Sequence, residues 1–353
     1  MLASALSGDG VSAAAVKAML VASRAATTAA SYASAVRQFV AFVTASALHL
    51  GIPEGSPGSD AASIRELIAY PLIVGAYLNE LKRRGLSAAS AEVHLSALRA
   101  AASDIFGEPP PWSEAVRQCI VGFGRGGPAA RPLRPGVDRA LLERMVAFVN
   151  SGQFRHPHDA PVLCAIFTLA FAGCMRASEY LVSSDGAKTL RLLDAIFPAH
   201  APGAIATLEV TLKKTKSNQA GPAEVVSLKE WPGSPVCPVR AMSRYLRVRP
   251  LGVIATAPLF SLARAPGVAL TGRLFNQVLR AVLRDMGVPN PQAFSAHSFR
   301  IGAATQAAVG GATAAEVMAL GRWRSDAFMV YLRAPALAGW ASAAQSHLQR
   351  DAV

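Results

Sequence analysis

Two cations, an indole and a phenol follow one another in the stretch from Phe294 to Arg333. These residues are, in order, His297, Arg300, Trp323 and Tyr331. Because His297 and Arg300 are three positions apart, they share one face of a helix. A planar guanidinium can bind two oxygens of a phosphate, and phosphorus is attacked by an oxygen nucleophile held in line with the leaving group. The set therefore suits phosphoryl transfer on a phosphodiester.

Short helices with tight joints are predicted to bring these side chains together. Thr313 and Glu316 form a capping box that begins a helix, and Gly321 is placed to end it. Ser325 can cap a further helix that runs through residues 331–333. Taken one at a time, these signals have ordinary explanations. An HxxR pair is common, a tyrosine between apolar neighbours is usually core, and helix–turn–helix spacing also fits simple DNA binding.

Charge and composition indicate the partner. The chain has 353 residues, a formal charge of +13 and a pI of about 10.2, which favours nucleic acid as the partner and allows two domains. No CxxC occurs, so the four cysteines are predicted to be reduced core thiols of an intracellular protein. The start MLASALSGDG does not match a signal peptide. The longest apolar run, Pro161 to Met175, is shorter than the roughly 20 residues of a membrane span and predicts a buried helix.

The first third of the chain is predicted to be helical after an Ala-rich arm at residues 1–24. Apolar spacing predicts helices at about 31–46, 64–84, 88–106 and 112–123, with Pro71 splitting the second. The apolar face of that second helix is expected to include Leu72, and that of the third Val93. Three further residues of the third helix, Ser90, His94 and Arg99, are assigned to its outer face. Residues 25–124 are therefore expected to form one helical domain.

A segment rich in Gly, Pro and Arg follows at residues 125–137 and is the predicted domain boundary. It fits either a solvated linker or a basic strap along DNA phosphates. The strap is favoured, because Arg125, Arg131 and Arg134 have no acid nearby in the sequence.

The rest of the chain is predicted to mix helices with one β-hairpin. Helices are expected at 138–150, from Pro161 onward, at 239–249 and at 270–286. Arg176 follows the buried helix, with Glu179 three residues on. That pair fits a surface salt bridge or an arginine supported by a carboxylate at a pocket rim. Alternating residues at 205–229 predict a hairpin with Lys213, Lys214 and Lys216 near its tip.

The order of these motifs resembles the tyrosine recombinases, or phage integrase family, with the Cre-type members as the nearest match. The motifs are AGCMRASE, the TKS triplet, HSFR, GRW and the tyrosine that follows. The resemblance extends over about residues 25–345 and is stronger in the second half. It implies a mainly α chain: a helical, SAM-like core-binding domain at 25–124, then a mixed α/β catalytic domain at 138–335 with a small sheet and the DNA breaking–rejoining fold. A tail helix at 336–353 is expected to dock on a neighbouring protomer.

The same resemblance implies a role for each motif residue. Arg176 and Arg300 would clamp the scissile phosphate, and Tyr331 would form a 3′-phosphotyrosine link. Lys216 would protonate the leaving 5′ oxygen. His297 and Trp323 would donate hydrogen bonds to phosphate oxygens, and Glu179 would support the arginines. The interval between Trp323 and Tyr331 is one residue shorter than is usual in that family.

The expected partners are double-stranded DNA and further copies of the chain, as a dimer or tetramer on paired sites. DNA contacts are assigned to a set of basic and polar residues: Lys82, Arg83, Arg84, Ser90, His94, Arg99, Arg125, Arg131 and Arg134. No cofactor is expected. No metal is expected either, because the sequence has no carboxylate cluster suited to Mg²⁺. No membrane contact is predicted, and the protein is expected to be intracellular and associated with DNA.

Two alternatives stay open at this point. The chain could be a recombinase-derived DNA-binding protein that does not cut DNA. It could also be a type IB topoisomerase, which shares the chemistry and acts as a monomer. The separate helical domain and the docking tail argue against the topoisomerase.

Overall fold

The computed structural model describes residues 26–46, 68–106, 109–110, 112, 114–125, 133–182, 189–199, 206–213, 221–249 and 255–350, with side chains as far as residue 342. The chain divides into two compact units, Met1–Pro132 and Leu133–Val353. The predicted arm at 1–24 lies outside the described residues, as do residues 126–132 of the predicted linker. The domain bounds given above therefore stay predictions.

The described part of the first unit is helical. Its helices are α1 (Ala26–Ser46), α2 (Pro71–Arg83), α3 (Ala88–Phe106) and α4 (Glu114–Arg125). Pro71 occupies the first turn of α2, where a proline costs no hydrogen bond. Phe39, Tyr77, Leu98 and Phe123 are among the buried residues of one core. This core holds the unit together by burying apolar surface.

Three face assignments in this unit are wrong. Leu72 is 85% exposed and Val93 is 46% exposed, whereas His94, expected on the outer face, is only 9% exposed. The His94 Nδ1 atom lies 2.8 Å from the Tyr77 hydroxyl. The reason is that small residues, including Ala91 and Ala102, carry the buried stripe of α3 and set a different phase for the helix.

The second unit combines helices with a small sheet. Its described α-helices are α5 (Arg139–Asn150), α6 (Ala160–Ala172), α7 (Ala177–Tyr180), α8 (Pro238–Val248), α9 (Gly272–Asp285), α10 (His297–Val309), α11 (Ala314–Gly321) and α12 (Ala334–Arg350). Short 3₁₀ turns lie at Pro157–Asp159, Leu192–Asp194, Pro291–Ala293 and Asp326–Tyr331. The helix predicted to run through residue 333 is therefore a 3₁₀ segment that ends at Tyr331.

The described strands form one antiparallel sheet in the order β1 (Ala195–Ile196), β2 (Thr207–Leu212) and β3 (Glu224–Lys229). Thr207 pairs with Lys229 and Leu212 pairs with Glu224. The predicted hairpin is thus confirmed. Residues 214–220, which include Lys214 and Lys216, lie outside the described residues.

Helix α6 forms the middle of the second unit. It packs against α5, α8 and α10, and apolar residues on every side of it are buried, as expected for a helix enclosed by others. The Phe167 ring stacks on Phe299 of α10 at 5.4 Å. At Gly302 of α10 a Cβ would overlap the carbonyl of Val137, so glycine is needed where this segment crosses the helix.

The tail helix α12 contacts its own chain. The Trp340 Nε1 atom donates to the Ala312 carbonyl at 3.0 Å, and the Trp340 ring lies 6.2 Å from that of Phe328. The expectation that this tail docks on a neighbouring protomer stays a prediction. Leu337 remains 41% exposed.

All four cysteines are free thiols. Cys164, Cys174 and Cys237 are buried free thiols, as predicted, but Cys119 is exposed on α4. Of the helices described, none combines the length and apolarity needed to cross a bilayer. Within the described residues, no group of three or more His, Cys, Asp and Glu side chains is placed to hold a metal ion.

Candidate active site

The start of α10 is fixed by neighbouring elements. The Ala296 amide donates to the Asn276 side chain of α9 at 2.8 Å, and the Ala296 carbonyl accepts from the Tyr180 hydroxyl at 3.1 Å. His297 is the first residue of the helix and is half-buried. Arg300 therefore projects from a helical turn that two other helices hold in place.

The guanidinium of Arg300 is completely buried. Its Nη1 donates to the Cys174 carbonyl, and its Nη2 donates to the Gly321 carbonyl at 2.6 Å. In the described part of the chain, its Nε has no hydrogen-bond partner. Burial lowers the pKa of Arg300 to about 10, so the group is still charged at neutral pH. A buried cation with an unused donor is costly unless something compensates it.

Two aromatic rings cover this cation. The Arg300 Cζ atom lies 3.8 Å from the centroid of the Trp323 ring and 5.4 Å from that of Tyr331. The two rings are 5.1 Å apart. A cation over an indole face in a desolvated site is stabilised by about 2 kcal/mol. The structure thus brings Arg300, Trp323 and Tyr331 into one cluster.

Arg176 reaches the same cluster from the end of α6. It is the N-cap of α7, and its amide donates to Glu179 Oε2 at 2.8 Å. Its Nη1 donates to Glu179 Oε1 at 2.7 Å, and its Nη2 donates to the Arg322 carbonyl at 3.1 Å. The side chains of Arg176 and Glu179 are 12% and 1% exposed. The pair is therefore buried, and the surface salt bridge considered above is excluded.

Arg322 is a member of the cluster that sequence reasoning missed. Its Nη2 donates to Glu179 Oε2 at 2.7 Å, and its Nη1 donates to the Gly173 carbonyl at 3.0 Å. The Nε of Arg322 lies 4.0 Å from Glu224 Oε2 at the start of β3. Glu179 thus binds two arginines at once. The only signal in the sequence was a basic residue between the glycine and tryptophan of GRW.

The local backbone explains how Arg322 and Trp323 are aimed. Arg322 follows the last residue of α11 in the left-handed conformation, with φ of 56°. The Trp323 amide bonds back to the Met318 carbonyl at 2.9 Å, which is the Schellman arrangement usually made by glycine. At Gly321 a Cβ would overlap the Trp323 ring. Gly321 is therefore required for the indole to lie over Arg300.

The structure does not place the lysine candidates of the second unit in the cluster. Lys216 lies outside the described residues. Lys213 forms an ion pair with Asp194 at 2.9 Å. Two other tyrosines of this unit, Tyr180 and Tyr245, are buried, and their hydroxyls donate to the carbonyls of Ala296 and Leu259 respectively.

The DNA-contact candidates of the first unit lie on several surfaces. Arg83 pairs with Glu80 at 2.8 Å, Arg84 donates to Gln38 at 3.3 Å, and Arg99 lies 5.1 Å from the Trp112 ring centroid. Lys82, Ser90 and Arg125 are partly or fully exposed. The buried and hydrogen-bonded His94 does not fit a DNA contact.

Arg131 and Arg134 are the remaining arginines of the predicted strap. Arg131 lies outside the described residues. Arg134 is exposed, and its carbonyl accepts from Arg333 Nη2 at 2.7 Å.

The chain is similar to several solved structures. A structure of the Tn1549 transposon integrase in complex with transposon right end DNA matches at 15% identity with a TM-score of 0.50, covering 80% of this chain and 85% of that one. The XerH site-specific recombinase bound to palindromic difH substrate matches at 17% identity and 0.48, covering 74% and 68%. A lambda integrase dimer bound to a COC′ core site matches at 13% and 0.45, covering 94% and 92%.

The Tn1549 integrase match confirms the predicted fold class and, at the level of fold, the resemblance to integrases. The chain matches no protein-family model and no curated protein. What the cluster does is therefore argued from its own side chains.

Proposed function

We propose that this chain is a site-specific DNA recombinase or integrase that cuts and rejoins DNA through a 3′-phosphotyrosine link, without metal or ATP. The observation that carries the proposal is the convergence of Arg176, Arg300, Trp323 and Tyr331 from distant parts of the sequence. Arg176 and Arg300 donate to the adjacent carbonyls of residues 322 and 321, while the Tyr331 ring lies 5.4 Å from the Arg300 Cζ.

The proposed reaction follows from these groups. The Tyr331 oxygen gives up its proton, for which His297 is the proposed acceptor, and attacks the scissile phosphorus. The bond from phosphorus to the 5′ oxygen breaks, and Lys216 supplies a proton to that leaving oxygen. One phosphodiester replaces another, so the reverse step can rejoin strands without an outside energy source. Arg176 and Arg300 stabilise the charge that grows on the phosphoryl oxygens, which is usually the largest catalytic contribution. Proton donation contributes about 10²–10⁴-fold.

A rearrangement is part of this proposal. In the structure both terminal nitrogens of Arg300 bind carbonyls, and Trp323 and Tyr331 cover it. DNA binding therefore has to move these two rings before a phosphate oxygen can reach the cation. Tyr331 ends a six-residue 3₁₀ turn, a less stable form of helix than the α-helix, so this segment is the one proposed to shift.

The test is covalent capture on nicked DNA taken from the protein's own locus. Wild-type protein should form an adduct that survives denaturation, and peptide mapping should place it at Tyr331. Tyr331→Phe should retard DNA but form no adduct. Tyr70→Phe is the matched control, because Tyr70 is 61% exposed in the first unit and should leave the yield unchanged. An adduct that persists in Tyr331→Phe would exclude this nucleophile.

A second candidate function is DNA binding without cleavage. The complete burial of Arg300 favours it, because a sealed guanidinium cannot touch DNA. Under this alternative, wild-type protein would retard the locus DNA and yet give no adduct on any nicked substrate. A monomer that relaxes supercoiled plasmid without paired sites would indicate the topoisomerase instead.

DNA contact in the first unit and self-association on paired sites are further parts of the proposal. The exposed Arg83 and Arg125 and the partly exposed Lys82 support the first, since basic surface residues provide most of the affinity for a phosphate backbone. Val330 and Leu337, which are 72% and 41% exposed, support the second as apolar surface available to another copy. Sedimentation of the protein on one-site and two-site DNA tests the assembly.

A further inference from the structure

A second charged site lies in the second unit, at the start of α6. A cavity of about 660 Å³ opens beside the 3₁₀ turn Pro157–Asp159 that leads into this helix. Arg176 follows the opposite end of α6. The helix has 13 residues and is therefore roughly 20 Å long. A molecule in the cavity would not reach the Arg176–Arg300 cluster.

The lining of this cavity is strongly basic. It includes the arginines Arg155, Arg244, Arg249 and Arg264 and the histidines His156 and His158. Asp159 is the single carboxylate among the described lining residues. Its Oδ1 accepts from the Ala263 amide at 2.7 Å, and its Oδ2 lies 3.3 Å from Arg264 Nη1. Asp159 thus balances Arg264, although its Oδ2 accepts no hydrogen bond within the described chain. The other arginines have no counter-charge among the described lining residues.

The burial and the unused donors of Arg249 are the main evidence for an anion site. Arg249 is only 6% exposed. Its Nη2 donates to the Pro258 carbonyl at 2.9 Å, but within the described chain its Nε and Nη1 have no hydrogen-bond partner. Leaving a buried charged donor unpaired costs several kcal/mol. A negative charge in the adjoining cavity would offset that cost.

The remaining walls limit what the anion can be. Val162, Tyr245 and Val248 give the cavity an apolar side, and Tyr245 is stacked with Phe260 at 6.1 Å. The positive end of α6 also faces this region and favours anions. The volume lies in the range of small-molecule sites. Phosphate groups attached to a flat or apolar body fit this combination.

We propose that this cavity binds phosphate groups, either of a free nucleotide or of the DNA backbone, at a site separate from the Arg176–Arg300 cluster. Arg155 and Arg244 at the exposed rim bind the phosphate oxygens. Arg249 provides a fixed positive charge behind them. Binding here stabilises the folded second unit, because the ligand compensates the charge of Arg249, two of whose nitrogens have no hydrogen-bond partner among the described residues.

The experiment measures binding of inorganic pyrophosphate and of ATP to the full chain by titration calorimetry. The test variant is Arg155→Gln with Arg244→Gln, since both side chains are exposed and their loss should not prevent folding. Arg247→Gln is the matched control, because Arg247 is exposed on the same helix as Arg244 and does not line the cavity. The double variant should bind the probes at least about tenfold more weakly, and the control should bind like wild type.

DNA binding at several salt concentrations separates the two sources of phosphate. If the double variant loses pyrophosphate but keeps its DNA affinity, the ligand is a free nucleotide. If its DNA affinity falls and the salt dependence becomes shallower, the ligand is the DNA backbone. Wild-type protein that binds neither probe, with unchanged DNA affinity in the double variant, would overturn the proposal. An equal loss in the Arg247→Gln control would overturn it as well.

Discussion

Replacing Glu179 with glutamine tests whether a single buried carboxylate holds the arginine cluster together. Glu179 accepts three hydrogen bonds, from the Arg176 amide at 2.8 Å, from Arg176 Nη1 at 2.7 Å and from Arg322 Nη2 at 2.7 Å. Glutamine keeps the shape but not the charge, and its NH₂ group would face a guanidinium. Two charge-assisted hydrogen bonds at about 1.5–3 kcal/mol each predict a loss of about 3–6 kcal/mol in the free energy of unfolding. This range includes the usual cost of breaking a buried ion pair, about 3–5 kcal/mol.

The assay is native-state hydrogen exchange on peptides from α6 and α10, which reports the opening free energy of the second unit separately from the first. Glu143→Gln is the matched control. Glu143 pairs with Arg139 at 3.0 Å, but those side chains are 38% and 51% exposed, so about 0.3–0.5 kcal/mol is expected. A loss below about 1 kcal/mol for Glu179→Gln, or one equal to the control, would refute the reasoning.

Three further predictions concern other parts of the chain. Gly321→Ala should displace the Trp323 ring and lower the free energy of unfolding by about 1–3 kcal/mol. The tryptophan fluorescence spectrum should change, and an unchanged spectrum would contradict this prediction. Burial raises the pKa of Cys174 to about 11, so a thiol reagent at neutral pH should label the exposed Cys119 first, and Cys119→Ser should abolish the rapid phase. Burial lowers the pKa of His94, so the unfolded chain binds that proton more tightly and stability should fall as pH drops below about 6.5. Melting temperatures of wild type and His94→Gln at pH 7.5 and 5.5 should show a smaller drop in the variant.

Much of the fold was readable from short-range signals. The helix predicted from residue 138 begins there because Asp138 accepts from the Leu141 amide, and Thr313 forms the predicted capping box with Glu316. The β2–β3 hairpin follows from alternation in the same way. Such features depend on residues close together in the sequence, and the chemistry of those residues is sufficient to place them.

The missed features depend on contacts between distant residues. His94 is buried because Tyr77, on another helix, provides a partner for its ring. Arg322 turns inward because the backbone after α11 enters the left-handed region, where sequence preferences would place glycine. The covering of Arg300 by Trp323 is likewise a matter of tertiary packing. Hydrophobic periodicity gives no information about Arg322 or the covering of Arg300, and it indicates the burial of His94 only when the alanines of α3 are counted as apolar.

The arginines of the cluster are held largely by main-chain oxygens. Arg300 binds the carbonyls of Cys174 and Gly321, Arg176 binds that of Arg322, and Arg322 binds that of Gly173. No point mutation can delete a carbonyl, so random mutagenesis of the surrounding side chains, Glu179 and Gly321 excepted, should leave the cationic frame in place. Laboratory evolution could therefore vary the neighbourhood widely, provided that the path of the backbone through residues 173–176 and 321–323 is kept.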